Sequence, residues 1–147
     1  MRPASWRRAE FRHFLSIPTR WHDNDAYGHI NNVVYYEFFD TAVNRFLMQE
    51  GLLDIENGES IGLVVETRCH YFAPAAFPDA LIAGLRVARC GISSVSYEIA
   101  IFKEDGETAV AQGHFVHVYV DRRSRRPMAL SAAMRQGLER IAGPGVF

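Results

Sequence analysis

Two hydrophobic rhythms alternate along the chain, and their order sets out an architecture. From Phe11 to Arg20, "FRHFLSIPTR", the pattern predicts a strand, and Pro18, which has no N–H for a ladder, predicts an edge position or a bulge near its end. Trp21 to Asn32, "WHDNDAYGHINN", is almost free of apolar residues. Directly behind it, Val33 to Gln49 has the length of a helix, with Asn31 or Asn32 as its N-cap and Gly51 as its stop. Tyr35, Phe38, Phe39, Ala42, Phe46 and Leu47 occupy much of its circumference, so the helix is expected to be buried nearly all round. After the turn-rich "DIENGESIG" come four strand-like runs: Ile61–Phe72, Leu81–Cys90, Ser96–Lys103 and Ala109–Asp121. "EDGE" at 104–107 marks a hairpin between the last two. In Phe115–Val120 both alternating sets hold apolar residues, which predicts cover on both faces. A second helix, Ala132–Ile141, follows a Ser131 cap, and residues 1–10, without periodicity, read as a loose arm.

A strand, a long apolar helix and then an antiparallel run of strands make an α+β class. A few strands hide such a helix best as one curved antiparallel sheet wrapped around it. The outer apolar face of that sheet would still be exposed, which favours pairing with a second subunit. With 147 residues, one domain is expected. Hydrophobic residues make up 48% and charged ones 22%, which excludes global disorder, and a net charge of −1 removes the electrostatic case for nucleic-acid binding. No run approaches the roughly 18 apolar residues of a membrane helix, and "MRPASWRRAEF" has no apolar stretch behind it that would read as a signal peptide. Cys69 and Cys90 lie in apolar alternating segments, as buried thiols do, so a reduced, cytoplasmic setting is expected.

The polar cluster supports three readings. Asp, Asn and Gly concentrate in loops because they bond local backbone and tolerate unusual dihedrals, so "DND" and "NN" could be a turn and a helix cap. His22, Asp23, Asp25 and His29 could instead be metal ligands, but their spacing matches neither HExxH nor a regular Cys/His pattern, and His70, His114 and His117 are scattered over strands. The third reading uses the helix. A helix N-terminus carries unpaired N–H groups and about half a positive charge, which can hold the negative charge that develops on a carbonyl oxygen during acyl transfer. Asp25, a few residues before that terminus, could attack the carbonyl or activate a water, and Gly28 would let the backbone turn sharply.

"DNDAYGHINNVVYYEFFD", residues 23–40, resembles the D-x-D-x-x-G-H-[hydrophobic]-N-N signature of hotdog-fold acyl-CoA thioesterases of the 4-hydroxybenzoyl-CoA thioesterase group. "ETRCHYFAPAAFPDAL" at 66–81, "GISSVSYEIAIF" at 91–102, "AVAQGHFVHVYVD" at 109–121 and "RRPMALSAAMRQGL" at 125–138 are similar in kind and order. The resemblance implies the hotdog fold and hydrolysis of an acyl-CoA (or acyl-carrier-protein) thioester, with CoA as part of the substrate and no separate cofactor. It also implies a homodimer or dimer of dimers with the site between subunits and the pantetheine arm across the interface. On the matching positions Asp25 is the catalytic carboxylate, Asn32 lies where the polarising N–H arises, and His29 and Asn31 sit beside the thioester. Asp23 and Asn24 shape the loop. Tyr35 could line an acyl pocket, as could Tyr36, Phe38, Phe39 and Tyr71. Ser93 and Ser94 match a segment that can meet the pantetheine arm.

The run "RRSRR" has two readings, a solvated turn or, through Arg122, Arg123 or Arg126, a contact with the phosphates of CoA. Among rival mechanisms, another hotdog branch places its acid inside the central helix, where Glu37 and Asp40 stand. A hydratase of the same fold has Asp and His five apart with Asn-Pro between them; Asp25 and His29 are four apart with no proline. The rival outside enzymes is a non-catalytic acyl-thioester binder.

Overall fold

The computed structural model describes residues 3–147. A five-stranded sheet is built from β1 (His13–Pro18), β2 (Ser60–Tyr71), β3 (Ala80–Cys90), β4 (Ser94–Lys103) and β5 (Ala111–Asp121). The order is β1-β3-β4-β5-β2, and every neighbouring pair is antiparallel. Helix α1 (Val34–Gln49) lies between β1 and β2 in the chain, and α2 (Ala132–Glu139) follows β5, capped by Ser131 Oγ, which accepts the Met134 N–H at 3.1 Å. β1 is an edge strand and ends on Pro18, where a missing N–H costs no ladder bond.

Helix α1 touches all five strands. Its buried residues are Val34, Tyr35, Phe38, Phe39, Ala42, Val43, Phe46 and Leu47, a stripe two residues wide that repeats each turn. Glu37, Asp40, Thr41 and Met48 are exposed, so the helix is covered on one side and not nearly all round. A single sheet can reach only one side of a rod. Close approach is possible because position 113 is glycine: a Cβ there would land on the Arg68 carbonyl and the Phe39 ring. Each fully buried phenylalanine on the stripe contributes on the order of 1.5–3 kcal/mol. Register shifts between Val64 and Glu66 in β2 and between Val87 and Arg89 in β3 add local twist.

Residues 5–11 are not the loose arm that their pattern suggests (Met1 and Arg2 lie outside the described residues). Trp6 and Phe11 pack with Ala100, Phe102 and Ala109 on the outer face of the sheet. The Trp6 N–H donates to Gln112 Oε1 at 2.6 Å, and the Arg8 guanidinium donates to the Gly106 and Lys103 carbonyls, both at 2.8 Å. This part of the outer face is therefore covered by the chain itself, without a second subunit. What stays uncovered is the β2 edge, where Leu63, Val64 and Val65 are exposed at 38%, 48% and 59%. Cys69 and Cys90 are free and half-buried.

Candidate active site

The loop between β1 and α1 is shaped by Asp23. Its carboxylate is fully buried and accepts the Arg20 N–H at 2.7 Å and the Arg20 guanidinium at 2.8 and 3.1 Å. Its carbonyl accepts the Asn31 N–H at 2.9 Å, and Asn24 Oδ1 accepts the Phe77 N–H at 2.9 Å. Both residues thus do the loop-shaping work read from their positions. Gly28 has φ 79°, a left-handed conformation that suits glycine, and its N–H donates to the Asp25 carbonyl at 3.1 Å.

That turn holds one oxygen of Asp25. Oδ1 accepts the Tyr27 N–H at 2.8 Å and the His29 N–H at 3.4 Å, while Oδ2 has no hydrogen-bond partner among the described residues. The carboxylate is thus oriented by backbone through one oxygen. At the helix start, Asn31 Oδ1 accepts the Val33 N–H at 3.2 Å and its carbonyl accepts the Val34 N–H at 2.9 Å. The N-cap position is Val33, which has helical dihedrals and no side-chain cap bond, so neither Asn31 nor Asn32 caps α1; Asn31 instead holds the turn that leads into it. The Asn32 N–H finds no acceptor among the described residues, and its carbonyl accepts the Tyr71 O–H at 2.8 Å.

Asp25, His29, Asn32 and Tyr35 line one open cleft of about 370 Å³, together with Tyr71 and residues 72–75. Five of the residues singled out in the sequence, Tyr71 among them, therefore meet. Tyr35 is 3% exposed and stands as a wall, its ring 5.7 Å from Phe38 and 5.4 Å from Tyr71, and burial pushes its phenol up to about 12. Burial also raises the Tyr71 phenol, so its O–H stays a donor at neutral pH. Sequence reading offered Tyr71 as an acyl-pocket residue and missed this bond to Asn32. The two lie 39 residues apart, and no spacing rule joins them. The cleft's far wall, 72–75, was missed too; it is tied in by the Ile30 N–H donating to the Ala75 carbonyl at 2.7 Å.

The other candidates lie elsewhere. Glu37 and Asp40 are on the exposed side of α1, Glu37 in a 3.4 Å ion pair with Arg20 and Asp40 accepting from the Asn44 amide. His22 is exposed, Asn31 serves the helix start, and no three His, Cys, Asp or Glu side chains converge as a metal set among the described residues. Ser93, Ser94, Arg122, Arg123 and Arg126 are at the opposite end of the sheet, where Ser60 pairs with Asp121; Tyr71 pairs with Ala111 at the cleft end. The β2 length separates the two ends by roughly 35 Å. The Arg122 guanidinium donates to the Gly58 and Ile55 carbonyls, both at 2.6 Å, and so holds the loop before β2; Arg123 and Arg126 are exposed.

Known proteins resemble this arrangement over most of its length. The model of the thioesterase-like superfamily matches residues 19–138. The long-chain acyl-CoA thioesterase FadM of Escherichia coli is 25% identical over 127 residues, 85% of this chain and 96% of that one. The crystal structure of the PA5185 protein of Pseudomonas aeruginosa superposes with a TM-score of 0.93 at 55% identity, covering 96% of this chain and 99% of the other. A 1,4-dihydroxy-2-naphthoyl-CoA thioesterase from Synechocystis shares the fold, with a TM-score of 0.77 at 18% identity over 85% of this chain and 93% of its own.

Proposed function

Because the chain belongs to the thioesterase-like superfamily, we propose that it hydrolyses an acyl-CoA thioester to the free carboxylic acid and CoA, on a hotdog fold whose sheet wraps α1. The observation that carries this reading is that Asp25 and the Asn32 amide line the same cleft, with Asp25 Oδ2 and the Asn32 N–H unpartnered among the described residues. The thioester oxygen sits at the Asn32 N–H, where the α1 dipole and a preorganised donor favour the charge that develops there. By one route Asp25 Oδ2 attacks the carbonyl carbon, the CoA thiolate leaves, and water hydrolyses the resulting anhydride. By the other, Asp25 takes a proton from a water that attacks, and the thiolate leaves with a proton. His29 stands beside the thioester, and CoA enters as part of the substrate. No separate cofactor takes part, and the setting is cytoplasmic.

In this reading the site is completed by a second copy of the chain. β2 is an edge strand with exposed valines, an arrangement that invites strand pairing. Antiparallel pairing of β2 with itself across a twofold axis brings the Ser60 end of one copy beside the Tyr71 end of the other. Ser93, Ser94, Arg123 and Arg126 of one copy then approach the cleft of its partner, in reach of the pantetheine arm and phosphates of CoA.

Thiol release from short, long and aromatic acyl-CoAs tests the proposal. Asp25→Asn and Asp25→Ala are expected to lower kcat on the order of 10²-fold or more with unchanged circular dichroism. Glu37→Ala should stay near wild type. Binding without hydrolysis of any thioester would make the protein a binder, and near-normal turnover in either Asp25 variant would remove that residue from the mechanism. Single-turnover hydrolysis in ¹⁸O-water separates the two routes.

A further inference from the structure

The segment ahead of β1 runs antiparallel along residues 107–112, which lead into β5, and is bonded to them by backbone and side chain. The Arg8 N–H donates to the Glu107 carbonyl at 2.8 Å, the Ala109 N–H to the Trp6 carbonyl at 2.9 Å, and Ser5 Oγ to the Ala109 carbonyl at 2.8 Å. Gln112, which is 1% exposed, completes the row with its side chain. Its Oε1 accepts the Trp6 N–H at 2.6 Å and its Nε2 donates to the Ala4 carbonyl at 3.1 Å, so the amide stands in for the backbone of a strand. Without these bonds a buried amide would keep an unpaired donor and an unpaired acceptor, which ties β5 to residues 4–6.

Side chains seat the Trp6 ring as well. Its centroid lies 5.9 Å from those of Phe11 and His114, and the Arg86 guanidinium covers it at 5.1 Å. Arg86 is in turn held by the Glu98 carboxylate at 2.8 Å. Trp6 therefore joins β3, β4 and β5 on the outer face of the sheet.

The same stretch of chain supports the Asp25 cleft. The Val110 carbonyl accepts the Phe72 N–H at 2.8 Å and the Ala73 N–H at 3.2 Å, and both of those residues line the cleft. Tyr71, whose O–H holds the Asn32 carbonyl, pairs with Ala111 in the ladder. Val110 and Ala111 thus lie between two anchors on residues 4–6, the Ala109 carbonyl held by Ser5 and the Gln112 amide. Residues 4–6 do not line the cleft, so their influence on the chemistry has to pass through this shared stretch.

We infer that Gln112 is a positioning residue for the thioester site: by locking residues 4–6 onto β5 it fixes Val110 and Ala111, and through them the cleft wall and the Tyr71 hydroxyl that holds Asn32. The inference rests on the hydrolase reading above and adds to it a control on turnover from the outer face of the sheet. Gln112 and Trp6 do not touch the substrate; they set the geometry in which it is polarised.

Gln112→Leu nearly keeps the size of the side chain and removes both bonds. It should lower kcat for decanoyl-CoA about 3- to 10-fold with KM nearly unchanged. Trp6→Ala should act alike, whereas Trp6→Phe, which keeps a ring and the backbone bonds, should stay within about 2-fold of wild type. Combination with Tyr71→Phe decides whether the effect passes through that hydroxyl. The variant carrying Gln112→Leu and Tyr71→Phe together is expected to be no slower than the slower single variant, because both changes release the same group. Effects that multiply, a change in KM alone, or full kcat in Gln112→Leu would overturn the inference while the hydrolase reading stands. If Gln112→Leu does not fold, Ser5→Ala takes its place: alone it should lower kcat about 2-fold, and it should add nothing to Tyr71→Phe. A wild-type protein inert toward every thioester overturns the hydrolase reading and this one together.

Discussion

In the proposed mechanism Asp25 and Asn32 have different parts, although each is a short polar side chain in one loop. Asp25 is held by two backbone N–H groups on a single oxygen, which orients the carboxylate without consuming it. In the proposed mechanism Asn32 acts through its main chain, and Tyr71 fixes that peptide from across the cleft by donating to its carbonyl at 2.8 Å. A partly exposed hydrogen bond of this kind is worth about 0.5–1.5 kcal/mol. Tyr71→Phe is therefore expected to lower kcat by roughly 2- to 10-fold, with KM nearly unchanged because the ring and its packing remain. Steady-state kinetics on one acyl-CoA would check it, and a change in KM alone would refute the positioning role. Asp23, two residues from Asp25, is the buried anchor of the loop, so its replacement should disturb folding before it disturbs chemistry.

The elements are joined where side chains are absent as much as where they are large. Gly113 faces Phe39 of α1 and the Arg68 carbonyl of β2, so a methyl group at 113 cannot enter without moving backbone. Gly113→Ala is predicted to destabilise the protein by about 2–3 kcal/mol, read as a lower urea midpoint. A midpoint equal to wild type would mean that α1 is not seated on the sheet at this point. The stripe of α1 was visible in the chain, but its exposed side was not. Tyr36, Val33 and Met48 look as apolar as their buried neighbours, and which of them face outward depends on how far one sheet can reach around a helix.

Across the whole molecule, the uncovered β2 edge and the buried His117 are the features most open to measurement. Val64→Lys together with Val65→Lys places charges along the exposed strand, where the proposed dimer would pair it with a second copy. The doubly substituted protein is expected to run as a monomer by light scattering and to lose turnover, since its cleft would lack the other copy. A monomeric wild type with full activity would refute that. Stability should also fall on mild acidification. The His117 pKa is about 4 in the folded protein against 6.5 as the ordinary value, so between those limits the unfolded chain binds the proton and the folded one does not. Stability is therefore full above pH 6.5 and declines as pH falls toward 4, by on the order of 3 kcal/mol. His13 and His114, also lowered chiefly by burial, act in the same direction. Urea midpoints from pH 7.5 to 5 would record the slope, and His117→Phe should flatten it.

Local information in the chain determined the order of strands and helices, the Ser131 cap, the turn at Gly28 and the position of an acid before α1, because these depend on neighbours within a few residues. It also carried the family motif, and with it Asp25. The tertiary structure alone decided that Tyr71 holds Asn32, that residues 5–11 cover the outer face, and that Arg122 is occupied by a loop. It alone put Ser93, Ser94 and the arginines at the far end of the sheet from the carboxylate. Those outcomes depend on which distant segments the ladder brings side by side, and strand pairing leaves no periodic trace in a single sequence.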